Sequence, residues 1–117
     1  MLVLRTSRGT VVRGPSASNI LAVLESLPRG GHLILDREAD EYMQVWLRPE
    51  GTYQLEYRAG TPGEHFQTLT VSRAKVGEAL VDWSTGGSTW HGNFAWKRFP
   101  QRSGGSGSPS IRGPSPG

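Results

Sequence analysis

Three histidines, four tryptophans and one carboxylate placed in mid-strand, Glu56, are the side chains of this chain whose types could do chemistry. His32, His65 and His91 lie on separate segments and show no His-x-x-x-His or Glu-x-x-x-His spacing, the arrangement that aims two ligands at one ion from a helix. Each reads as a strand-end or loop histidine. With no cysteine there can be no thiolate nucleophile, Cys-based zinc site or disulfide. General acid/base work needs a carboxylate with a shifted pKa. Glu56 is the one acid outside turns, helix surfaces and caps, and the expectation for it is a cross-strand polar ladder on the surface. Asp36, Glu38, Asp40 and Glu41 form a carboxylate cluster without the glycine and terminal glutamate of a calcium loop, so they read as a solvated acidic turn. No phosphate-cradling loop, dinucleotide fingerprint or nucleophile elbow occurs. No catalytic residue, metal or cofactor is therefore expected.

The elements that must position these residues follow from hydrophobic spacing. Leu2-Val3-Leu4 and Thr10-Val11-Val12 flank Ser7-Arg8-Gly9 and read as a short hairpin. With Ser16 or Ser18 as N-cap, Ile20, Leu21, Val23, Leu24 and Leu27 recur at helical spacing until Pro28 and Gly30-Gly31 stop the run. Residues 32–36 form a short apolar strand, followed by the charged turn. Residues 42–48 and 52–58 are two strands joined by Pro49-Glu50-Gly51, and 65–71 is a third. If 48 pairs with 52, one face carries Met43, Val45, Leu47, Tyr53, Leu55 and Tyr57 and must be the core side. The other face pairs Trp46 with Gln54, Gln44 with Glu56, and Tyr42 with Arg58. Ser72 can cap a second helix with Val76, Ala79, Leu80 and Trp83 on one stripe, ending near Gly86-Gly87. From Phe94 aromatic and polar residues alternate, which predicts a closing strand. The expected fold class is α+β, an antiparallel meander with two helices packed on one face.

The 117 residues suffice for one domain. Residues 1–99 are expected to fold. Of residues 100–117, fourteen of eighteen are Gly, Ser or Pro, a composition that reads as a disordered tail. No internal repeat occurs, and no apolar run approaches the roughly 18 residues of a membrane span. The short apolar start lacks the basic segment and length of a signal peptide, so the expected location is the cytoplasm. The formal charge of +3 would favour nucleic acid as partner, but it is unevenly spread. Residues 14–96 carry −4, and the two ends carry +3 and +4.

Trp and Tyr concentrate binding energy at protein interfaces, above all when ringed by polar groups. Tyr42, Gln44, Trp46, Glu56 and Arg58 therefore form the candidate partner surface, with the acidic turn bearing Asp40 and Glu41 at its rim. Trp90 reads equally as interface or core. The acidic middle of the chain suits a basic partner.

The order of residues resembles the Imm1 class of bacterial immunity proteins. The stretch carrying it runs from Leu27-Pro28-Arg29-Gly30-Gly31-His32-Leu33-Ile34-Leu35-Asp36 through Tyr42-Met43-Gln44-Val45. It continues in Gly51-Thr52-Tyr53-Gln54-Leu55-Glu56-Tyr57-Arg58-Ala59-Gly60 and His65-Phe66, then in a helix ending at Trp83 with Trp90 and Trp96 beyond. The resemblance covers about residues 20–97 and leaves out the basic hairpin and the tail. It implies a small α+β protein that neutralises a toxin, commonly a nucleic-acid deaminase, by binding. Two other readings stand beside it. One is a nucleic-acid-binding accessory protein using the basic ends and Trp96-Lys97-Arg98-Phe99. The other is a small-ligand pocket lined by Tyr53, Tyr57 and Trp83.

Overall fold

The computed structural model of the chain describes residues 1–38, 41–61 and 63–98. Asp40, Phe99 and the Gly/Ser/Pro-rich residues 100–117 lie outside the described residues. Seven strands form a single antiparallel sheet: β1 (Val3–Thr6), β2 (Val11–Arg13), β3 (His32–Glu38), β4 (Glu41–Leu47), β5 (Tyr53–Ala59), β6 (His65–Thr70) and β7 (Lys97–Arg98), in the order β2-β1-β3-β4-β5-β6-β7. Three helices, α1 (Ala17–Glu25), α2 (Arg73–Ser84) and α3 (Thr89–Gly92), complete an α+β fold. Both β2 and β3 run antiparallel to β1, so they are parallel to each other. Two such strands need a crossover, and α1 supplies it.

Strand alternation sorts the side chains. Leu4, Leu33, Leu35, Met43, Val45, Leu47, Tyr53, Leu55 and Tyr57 are buried on one face, together with Ile20 and Leu24 of α1 and Val76, Ala79, Leu80 and Trp83 of α2. The β4–β5 register pairs Leu47 with Tyr53, Val45 with Leu55 and Met43 with Tyr57, as the short loop requires. Gly51, at φ 100°, takes the left-handed turn conformation that L side chains resist. Ser16 caps α1 reciprocally: its Oγ accepts from the Asn19 N–H at 3.1 Å, and Asn19 Oδ1 accepts from the Ser16 N–H at 3.0 Å. Ser72 Oγ caps α2 by accepting from the Lys75 N–H at 3.1 Å. Where the helices cross, a Cβ on Gly77 would stand 2.8 Å from Leu21 Cδ2, so this position keeps their approach close.

Three expectations change. The strand from His32 is internal and continues through Arg37 and Glu38, while Glu41 opens β4, so most of the acidic turn is strand. On the helix side Arg37 lies over the Trp83 ring at 4.1 Å, donates to the Trp83 carbonyl and pairs with Glu41 at 3.8 Å. Among the described residues the closing strand begins only at Lys97 and covers two residues, because Phe94 and Trp96 leave the sheet direction to pack with the rings around Tyr57. The short helix α3 was not foreseen. It is held by Asp82, whose Oδ2 accepts from the Trp90 N–H at 2.9 Å.

Candidate functional site: the uncovered face of the sheet

All the described helices pack on one side of the sheet, so among the described residues no helix lies over the opposite face. Pairing registers lay that face out in rows. One row runs Val11, Arg5, Ile34, Gln44, Glu56, Gln67, Lys97 from β2 to β7. A second runs Arg13, Val3, Asp36, Tyr42, Arg58, His65, and a third His32, Trp46, Gln54, Leu69. Tyr42, Gln44, Trp46, Glu56 and Arg58 are thus neighbours on one surface, on adjacent strands β4 and β5. Glu41 falls on the other side of the sheet beside Arg37. Trp90 is also on that side, with its ring 4.9 Å from Tyr57 and its Nε1–H donated to the Gly87 carbonyl at 2.9 Å. These two do not join the surface.

Glu56 departs most from expectation. It sits on the uncovered face, yet it is only 6% exposed. Its Oε1 accepts from Gln44 Nε2 at 3.3 Å and lies 3.1 Å from His65 Nε2, while Oε2 accepts from Gln54 Nε2 at 2.6 Å. A carboxylate accepts only, so His65 must present its Nε2–H here. Long polar side chains from β4, β5 and β6 close over this acid and fix one another's positions, an arrangement that strand alternation cannot show. Tyr42 meets His65 edge-on with centroids 6.1 Å apart, and the Arg48 guanidinium lies 5.5 Å over the Trp46 ring. The aromatic groups are half-buried and held in place before any partner arrives.

The charge of this face differs from the sum along the chain. Arg5, Arg13, Arg48, Arg58 and Lys97 project on it against Asp36, Glu56 and Glu50, the last paired with Arg48 at 3.1 Å. The fold carries the basic N-terminal hairpin to one edge and Lys97 to the other, while Glu41, Glu78 and Asp82 of the acidic middle belong to the helix side. A linear sum over 14–96 therefore does not describe the surface of the sheet. Arg5 pairs with Asp36 at 3.2 Å, and burial raises the Asp36 carboxyl above its ordinary 3.8 while the Arg5 charge pulls it back down.

The other candidate sites fare differently. Tyr53, Tyr57 and Trp83 are all buried in the core. A shallow cavity of about 100 Å³ lies elsewhere, between residues 6–10 and 23–28. Trp96 packs 4.8 Å from Tyr57 on the helix side while Lys97 points to the uncovered face, so this stretch is split between two surfaces. Among the described residues no three His, Asp or Glu side chains are grouped to hold a metal ion, and no helix is long and apolar enough to cross a membrane. Compared with known protein families, curated proteins and solved structures, the chain matches none.

Proposed function

We propose that this chain is a non-catalytic binding protein of the Imm1 immunity type, which neutralises a bacterial toxin, a deaminase or nuclease acting on nucleic acid, by occluding it in the cytoplasm. The observation that carries the reading is the uncovered sheet face. Trp46 and Tyr42 stand there half-buried on a rigid scaffold, beside a carboxylate already locked by three donors. Binding loses less entropy when its anchors are ordered beforehand, and Trp and Tyr are the side chains that most often supply such anchors. The docking residues are Tyr42, Gln44, Trp46 and Arg58, with Glu56 holding the polar ones in position. Co-expression with a panel of bacterial nucleic-acid deaminase and nuclease toxins tests the reading: the wild-type chain restores growth against one of them and Trp46→Ala does not. Full protection by a folded Trp46→Ala protein would refute it.

A further inference from the structure

The charge layout of the uncovered face carries a statement about what docks there. It rests on the reading of that face as the partner surface. Arg13 on β2 and Lys97 on β7 are exposed at opposite edges of a seven-stranded sheet. Six strand spacings separate them, about 29 Å along the sheet. Arg5 stands next to the first, and Arg58 lies one strand in from β6. Between these flanks Ile34, Tyr42, Gln44, Trp46 and Gln54 are neutral or apolar, and Arg48 over the Trp46 ring is paired with Glu50 at 3.1 Å. Asp36 and Glu56 are occupied internally too, Asp36 by Arg5 and Glu56 by Gln44, Gln54 and His65. At physiological ionic strength charges act over about 8 Å, so each flank acts on whatever lies directly opposite it.

We infer that the uncovered face docks an acidic protein surface, with two anionic patches set against the cationic edges and an apolar patch against Trp46 and Ile34. A single nucleic-acid strand fits the face less well. Stacking platforms need open ring faces. The Trp46 ring is covered on one side by Arg48, and Tyr42 stands edge-on to His65.

The test maps backbone amide shifts of the full chain at low salt with three probes: poly-L-glutamate, poly-L-lysine and a twenty-residue oligothymidylate. The expected result is that polyglutamate moves amides of β1, β2, β5 and β7 on the uncovered face, and that an Arg13→Glu, Lys97→Glu double variant weakens it about tenfold. Polylysine seated on that face instead would overturn the sign and leave the face as docking surface. Shifts by all probes on the helix side alone would overturn both the inference and the reading beneath it. Oligothymidylate binding more tightly than polyglutamate of equal charge would overturn the choice of protein as occupant.

Discussion

Replacing Glu56 with alanine removes the acceptor of three donors at a position 6% exposed. Each charge-assisted bond contributes about 1.5–3 kcal/mol, and desolvation of the buried acid offsets much of that sum. What remains after truncation is the stranding of the Gln44, Gln54 and His65 donors. These residues are themselves only partly buried, so water recovers some of the loss. The net cost is about 3 kcal/mol, within the range for removing one member of a buried polar set. Glu56→Gln keeps an acceptor for Gln44 and His65 and faces an amide to Gln54, whose own amide can rotate, so it should cost about 1 kcal/mol. Urea denaturation followed by tryptophan fluorescence reads both. With a slope of about 1.5 kcal/mol/M, the alanine variant lowers the midpoint by about 2 M and the glutamine variant by under 1 M. A loss below about 0.5 kcal/mol for Glu56→Ala would show an ordinary surface ladder and refute the claim that this acid organises the face.

Other outcomes follow from individual contacts. A Cβ on Gly87 would fall 1.9 Å from Asp82 Oδ1, so Gly87→Ala displaces the carboxylate that holds the Trp90 N–H and lowers stability by about 2 kcal/mol, read in thermal unfolding; an unchanged midpoint would contradict it. The Asp36 carboxyl is raised by burial and lowered by Arg5, so Arg5→Ala should move its NMR titration further up, and a downward move would contradict the assignment. Because a carboxyl with a raised folded pKa holds its proton better when folded, its contribution is present below pH 3.8 and is lost as pH rises through the folded value. Burial raises the Tyr57 hydroxyl above 10.0, helped by the Glu64 charge, so stability falls as pH climbs past 10. Tyr57→Phe should flatten that fall above pH 10 while losing the 3.0 Å bond to His91, both visible as urea midpoints.

Local signals made much of this fold legible. The loop Pro49-Glu50-Gly51 sets the β4–β5 register, and with it the neighbourhood of Tyr42, Gln44, Trp46, Glu56 and Arg58. Ser72 and the spacing of Val76, Ala79, Leu80 and Trp83 define α2, and the reciprocal bonds with Asn19 select Ser16 over Ser18 as the cap of α1. What remained hidden depends on contacts distant in sequence. The N-terminal hairpin joins the sheet through β3, some 30 residues away, and nothing in its own residues announces that partner. Period-two alternation assigns Glu56 to a face but says nothing of the glutamine and histidine side chains that cover it. Segment sums of charge ignore which way each residue points, so Arg5, Arg13 and Lys97 gather on a face that the chain's acidic middle seemed to own. α3 has four residues, too few for a periodic signal.

Titration calorimetry of the full chain against a nucleic-acid deaminase or nuclease toxin from which it protects cells tests the central claim most directly. Two folded variants are compared with the wild type: Tyr42→Ala with Trp46→Ala on the uncovered face, and Glu78→Ala, exposed on the outer side of α2. Aromatic anchors of this kind are worth about 2 kcal/mol or more, so the first variant should bind at least about thirtyfold more weakly while the second binds as the wild type does. Unchanged affinity for the first variant, or a loss confined to the second, would contradict the account.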